Sequence, residues 1–292
     1  MTTTEEWTIL RLLKWTESYL TESGSDSPRL DAEILLATAK ECDRIQLYTS
    51  FDEVATDEVR TAYRELVRRR AEGAPVAYLV GHREFFSRRF RVNENVLIPR
   101  PETEFVVTQL CDCVADRQQQ VSIVDVGTGS GILAITAALE LPNAKVTAID
   151  ISDGALEVAR QNAEDHGVLD RIDFVEGDLL DSISTDTKFD FVLSNPPYVS
   201  ESEFEELDTQ VKDHEPKLAL VAGEFGTSVI ERLIPQAADR LVTGGRLMME
   251  ISPMIEERVH GLIQSHGGFE TPSTTKDLAQ LARVVTATRT AP

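Results

Sequence analysis

Asp125-Val-Gly127-Thr-Gly129-Ser-Gly131 stands between a short apolar run, Ser122 to Val126, and an apolar helical pattern, Ile132 to Leu139. Strand, glycine loop and helix in that order decide the reading of the chain beyond residue 98. Glycines permit a tight turn and let a ligand approach the backbone, while the first amides of the following helix offer unpaired donors. Asp150, at the end of the next strand-like run Lys145–Ile149, stands where an acid can accept two hydrogen bonds from a ribose diol.

Outward from the loop, Ile172–Glu176, Asp190–Ser194 and Arg246–Ile251 also read as strands, and Asp153–His166 and Gly226–Leu241 as helices between them. The alternation predicts a doubly wound, Rossmann-like parallel sheet. Val284 and Val285 are expected in a last, edge strand. Before the sheet, residues 1–80 read as a small helical bundle. Val59, Tyr63, Leu66, Val67 and Arg70 form a stripe behind a Thr56 cap, and a helix starting at Ser27-Pro28 places Leu30, Ile34 and Ala37 on one face. Residues 81–98 read as a β-hairpin linker, with Phe86, Arg88, Phe90 and Val92 alternating, and residues 99–292 form the second domain.

Two cofactor classes suit such a loop. A dinucleotide site usually reads Gly-x-Gly-x-x-Gly; here the third glycine comes one residue early, and Asp125 opens the loop with a negative charge. That charge suits the sulfonium and amino group of S-adenosyl-L-methionine better than a diphosphate. Gly127, Thr128, Gly129, Ser130, Gly131 and Asp150 are the candidate contacts, with Asp178 and Leu179, after the third strand, meeting the adenine.

Asn195-Pro196-Pro197-Tyr198 ends the fourth strand and faces the same crevice. Prolines lack N–H groups, so the carbonyls there remain acceptors, and Asn195 adds its side-chain oxygen. Paired acceptors can hold an –NH₂ group with its nitrogen aimed at an electrophilic methyl, and Tyr198 supplies a flat wall. Positive charge growing on the nitrogen is stabilised by the acceptor dipoles, so Asn195, Pro196 and Tyr198 are the candidate catalytic residues and no side-chain base is required.

Lys and Arg number 29 against 50 Asp and Glu, a net charge of −21, of which −3 falls before residue 99 and −18 after it. The second part is a poor candidate for gripping a phosphate backbone. Arg68-Arg69-Arg70 with Arg83, Arg88, Arg89 and Arg91 either meet an acidic or RNA-like partner or form a solvated face. The longest charge-free run, Val126 to Leu139, is 14 residues, too short to span a bilayer, and Met1 to Trp7 lacks the pattern of a secretory signal. A cytoplasmic protein is expected. Cys42, Cys111 and Cys113 and the five histidines show no zinc spacing, so metal-free chemistry is expected.

Taken together, the chain resembles the HemK-type protein-(glutamine-N5) methyltransferases. The likeness runs through Pro28-Arg-Leu-Asp-Ala-Glu33, Pro75 to Phe85, Val96-Leu-Ile-Pro-Arg-Pro-Glu-Thr-Glu104, both motifs above, Lys276-Asp-Leu-Ala279 and Arg283-Val-Val285. The resemblance implies a seven-stranded, mostly parallel methyltransferase sheet and methylation of the Gly-Gly-Gln glutamine of peptide chain release factors. It also implies cofactor contacts from Gly127 to Gly131, Asp150 and Asn195, a glutamine held by Asn195, Pro196, Pro197 and Tyr198, and a helical domain that docks the protein substrate. Glu215 to Gly226 departs from the family pattern, and Ala74 stands where an acid commonly precedes Pro75. A ribosomal-protein glutamine and a nucleic-acid adenine are the rival targets, and a non-catalytic binding subunit a third alternative. A monomer, with no direct nucleic-acid or membrane partner, is expected.

Overall fold

Thr8 and Thr56 open two helices in the same way, each hydroxyl accepting the N–H three residues on, from Arg11 at 3.3 Å and Val59 at 3.4 Å. In the computed structural model, which describes residues 6–291, the first helices are α1 (Ile9–Glu22), α2 (Pro28–Ala39), α3 (Arg44–Leu47), α4 (Asp57–Ala71) and α5 (Val76–Val80). Met1 to Glu5, part of the stretch read as lacking a secretory signal, and Pro292 lie outside the described residues.

The face of α2 differs from the expected stripe. Leu30 is 41% exposed and Ile34 half-buried, whereas Asp31, Ala32, Leu35 and Leu36 are buried with Ala37. Two acids hid this face. Asp31 is paired inside the unit with Arg70 of α4 at 2.7 Å, and Glu33 accepts from Arg29 at 2.7 Å and from the Tyr48 hydroxyl at 2.8 Å. Buried charges persist when paired in this way. The Arg68 to Arg70 run is therefore no open basic patch: Arg70 is buried, and Arg68 bridges Glu65 and Glu72.

Strands β1 (His82–Phe85) and β2 (Arg88–Arg91) form the hairpin, with Phe86 and Ser87 at φ 50° and 59° in the turn, the left-handed pair a two-residue connection needs. The chain continues through α6 (Glu104–Cys113), β3 (Ser122–Val126), α7 (Ile132–Glu140), β4 (Lys145–Asp150), α8 (Asp153–Asp165), β5 (Ile172–Glu176) and β6 (Phe189–Ser194). Then come α9 (Glu201–Glu206), α10 (Thr209–His214), α11 (Ser228–Arg240), β7 (Leu241–Glu250), α12 (Glu256–His266), β8 (Ser273–Lys276) and β9 (Ala282–Thr288). The described residues fall into two units, 6–82 with Thr209–His214, and Arg83–Asp208 with 215–291. Most of the hairpin lies in the second.

Seven strands run in the order β5-β4-β3-β6-β7-β9-β8. β5 to β7 are parallel, and β9 and β8 antiparallel to their neighbours. Val284 and Val285 therefore do not lie on an edge: β9 is internal, and Ser273–Lys276 forms the rim. A polar Ser-Thr-Thr-Lys carries no apolar alternation, which is why the rim strand was invisible. β7 also begins earlier than expected, directly after α11, with a register shift opposite Phe189 and Phe191. One apolar layer, with Val107, Leu110, Leu133 and Phe191, covers one face of the sheet; Val126, Ile230, Leu233 and Met249 belong to the other. The strand order reverses between β3 and β6, which opens a crevice beyond their carboxyl ends. No described helix is long and apolar enough to cross a membrane.

Candidate functional site

The crevice at the strand switch contains a cavity of about 260 Å³. Gly127, Thr128, Gly129, Ser130, Asp150, Asp178, Leu179, Asn195, Pro196 and Pro197 all line it; Gly131 and Tyr198 do not. The first two glycines have φ 74° and 55°, and a Cβ on either would enter open space. A ligand can therefore lie directly on that backbone. Gly131 serves packing instead, since a Cβ there would stand 2.8 Å from Ile135 Cδ1 and 3.2 Å from Ala159 Cβ, forcing α7 and α8 apart.

Asp125 corrects an expectation. Its carboxyl does not face the cavity but is fully buried beneath the loop, accepting from the Thr128 hydroxyl at 2.6 Å and the Ala134 amide at 3.1 Å. Burial pushes it up to about 7 despite those two bonds. It shapes the loop rather than attracting a cation. Asp150 does line the cavity: Oδ2 accepts from Gly129 N at 2.8 Å and Oδ1 from Ser152 N at 3.0 Å. The Ile151 amide also lies against this carboxylate, and with about four acceptor directions it keeps acceptor capacity for a ligand. Asp178 pairs with Arg232 at 2.6 Å, and Leu179 holds φ 56°, a strained non-glycine conformation at a cavity wall.

Asn195 follows Ser194, whose hydroxyl donates to the Val126 carbonyl at 2.7 Å and ties β6 to β3. The Asn195 Nδ2 donates to Thr103 Oγ1 at 3.1 Å, so its Oδ1 retains its acceptor capacity for a ligand. Tyr198 does not supply the expected flat wall, since it is not among the residues lining the cavity. Its ring packs against the apolar layer that includes Val126 and Met249, and its hydroxyl donates to Glu250 Oε1 at 3.2 Å.

Four residues without a role in the sequence reading hold this arrangement. Thr103 and Glu250 are buried behind Asn195 and Tyr198; an acid ending the apolar run Leu247-Met-Met-Glu250 was the available signal. Glu215 accepts from Ile98 N at 3.0 Å and from Arg100 at 2.5 Å, pinning the segment that forms one wall. Gly226, at φ 68°, lets the backbone close on Tyr198, because a Cβ there would overlap the Tyr198 carbonyl oxygen. The unusual Glu215 to Gly226 stretch thus braces the acceptor turn. Among the described residues no group of His, Cys, Asp and Glu is gathered as metal ligands would be.

Residues 11–81 match the model of the PrmC N-terminal domain and residues 103–212 that of the methyltransferase small domain. A release factor glutamine methyltransferase of Rhodopirellula baltica is 49% identical over 96% of this chain and 95% of its own. One of Koribacter versatilis is 41% identical over 91% and 93%. Among solved structures, a methyltransferase from Pyrococcus furiosus superposes with a TM-score of 0.53 at 17% identity, covering 71% of this chain and 91% of its own. A Thermus thermophilus 16S rRNA N2 G1207 methyltransferase, in complex with AdoMet and guanosine, gives 0.54 at 16%, covering 71% and 49%. These two likenesses establish the sheet fold.

Proposed function

Since this chain belongs to the release factor glutamine methyltransferases, we infer that its cleft holds S-adenosylmethionine on the Gly127 to Ser130 loop and presents the release-factor glutamine to Asn195, Pro196 and Pro197. The reaction is S-adenosylmethionine-dependent methylation of a release-factor glutamine, and neither rival target is favoured. The residues fit the cofactor: an open cradle over two glycines, a carboxylate with free acceptor directions at Asp150, and apolar walls from Ile151, Leu179 and Leu218. Asp150 takes the ribose hydroxyls, and Asp178 with Leu179 borders the adenine. When bound, the cofactor supplies a methyl made electrophilic by its sulfonium.

The protein's task is to orient the acceptor nitrogen. Its lone pair is delocalised into the amide, and drawing its two N–H groups toward Asn195 Oδ1 and a carbonyl of the proline turn favours a more pyramidal, more nucleophilic nitrogen. As the N–C bond forms and the C–S bond breaks, positive charge grows on the nitrogen against those fixed acceptor dipoles. The nitrogen then loses one proton to solvent and remains an N-methyl amide. Near-attack alignment supplies much of the remaining acceleration.

The glutamine of the Gly-Gly-Gln motif is the target on this reading, and the helical unit, residues 6–82 with Thr209–His214, docks the rest of the release factor. The −18 charge beyond residue 98 supports a protein rather than a nucleic-acid partner. A monomer suffices, because every residue named lies on one chain. The observation that carries the reading is the Asn195 side chain at the end of β6, its nitrogen tied to Thr103 and its oxygen left for the substrate. Asn195→Ala should lower kcat on release factor by ~10²–10³, the usual cost of one preorganised dipole, while calorimetry still detects cofactor binding. A variant within about threefold of wild type would overturn it.

A further inference from the structure

Behind the acceptor turn lies a buried polar chain that the reaction above leaves unused. Asn195 directly follows Ser194, and Glu250 directly follows Met249, residues paired across β6 and β7. Thr103 reaches the same place from the turn before α6 and is fully buried, as Glu250 nearly is. Thr103 Oγ1 accepts the Asn195 amide nitrogen at 3.1 Å. Tyr198 donates to Glu250 Oε1 at 3.2 Å, and Glu250 Oε2 has no hydrogen-bond partner among the described residues. The Thr103 hydroxyl is close enough to this carboxyl to favour its charged form, although no hydrogen bond of ordinary geometry joins the two.

An asparagine amide can turn over, exchanging its oxygen and nitrogen, and only the surrounding donors and acceptors decide which way it sits. Thr103 has one proton. If that proton goes to the Glu250 carboxylate, Thr103 can only accept from Asn195, which must then offer Nδ2 inward and Oδ1 to the substrate. If Glu250 is protonated, the carboxyl can donate to Thr103, whose proton is released toward Asn195. The amide then turns, and its –NH₂ confronts the substrate –NH₂.

We propose that Thr103 and Glu250 are positioning residues that set the orientation of the Asn195 amide, so that the charged carboxylate keeps the acceptor oxygen on the glutamine and protonation turns it away. The proposal rests on the role of Asn195 given above. Burial raises Glu250 to about 7, against the neighbouring Thr103 and Tyr198 hydroxyls; Glu102 raises it further and Arg283 opposes this. Arg100 is a further positive charge in the neighbourhood of Tyr198. The orienting charge is therefore lost in the acidic direction.

The test is steady-state kinetics on intact release factor with S-adenosylmethionine, across about pH 5.5–8.5, a range centred on the Glu250 titration. Wild type should lose kcat toward acid with a one-proton slope, at little change in KM for release factor. Thr103→Val, which keeps shape and removes the hydroxyl, should lower kcat at least ~10-fold, and Thr103→Ser should restore it to within about threefold. Glu250→Gln should abolish the acid limb. In an Asn195→Ala background, Thr103→Val should cost nothing further, because residues acting through one another are non-additive.

An Asn195→Ala enzyme near wild-type rate would remove the underlying reading itself. A crippled Asn195→Ala beside a fully active Thr103→Val, or additive losses in the double variant, would overturn only the positioning role. If Thr103→Val unfolds, the Glu250→Gln profile decides, and an acid limb that persists there contradicts the proposal.

Discussion

Asp150 and Asp125 lie near one another under the glycine loop and do different work. Asp150 binds the loop through Gly129 and keeps acceptor directions toward the cavity, so Asp150→Ala should weaken S-adenosylmethionine binding by about 1.5–3 kcal/mol, the scale of a charged hydrogen bond. Calorimetry reads this directly, and unchanged affinity would remove Asp150 from the site. Asp125 acts on folding. Its carboxyl rises from 3.8 to about 7 in the folded chain, so the folded state holds the proton more tightly than the unfolded one. Its contribution to stability is complete below about pH 4 and is lost as pH rises to about 7. Denaturant unfolding should show this decline in wild type, and Asp125→Asn should flatten it by a few kcal/mol at most (order of magnitude ~2–4). An equal decline in both proteins would contradict the assignment. Asp125 also shows where residue-level reading stops: its charge was legible in the sequence, but its direction was not, because Thr128 and Ala134 claim it only once the loop has closed.

At the scale of elements, the loop after α10 braces the turn that ends β6. Gly226 and Gly167 share φ 68°, but a Cβ at Gly167 meets nothing, whereas one at Gly226 meets the Tyr198 carbonyl. Alanine at either position costs stability, about 1 kcal/mol from the left-handed backbone alone. Only Gly226→Ala should displace the acceptor turn, lowering kcat by ~10- to 100-fold as misplacement of that order does. Equal kcat losses in the two variants, read from initial rates at saturating substrate, would deny the brace. The glycine loop and the Asn-Pro-Pro-Tyr turn were legible because each is contiguous and sits at a strand end that periodicity marks. Thr103, Glu215 and Glu250 were not, since they reach the site from separate segments and each looks like an ordinary polar residue until the sheet brings the strand ends together. The internal place of β9 was hidden for a related reason: its neighbour β8 is polar and short, and strand order is a property of pairing, not of local pattern.

At the scale of the molecule, the helical unit has its own apolar core, including Leu13, Leu35, Leu36 and Val67, separate from the two layers on the sheet. Thr209–His214 belongs to that unit although it lies within the methyltransferase sequence, so removing residues 1–82 exposes the face of α10 as well. The truncated enzyme should still bind S-adenosylmethionine, and should lose kcat/KM on intact release factor far more than on a short Gly-Gly-Gln peptide, because remote binding energy is what positions the glutamine. Parallel losses on both substrates would show that the helices serve only to stabilise the fold. The most direct test of the whole account is mass-spectrometric mapping of release factor after incubation with this enzyme and S-adenosylmethionine carrying an isotopically labelled methyl. One labelled methyl should appear on the side-chain amide of the Gly-Gly-Gln glutamine and be absent with Asn195→Ala; label confined to ribosomal protein or nucleic acid, or none on that glutamine, would contradict the assignment.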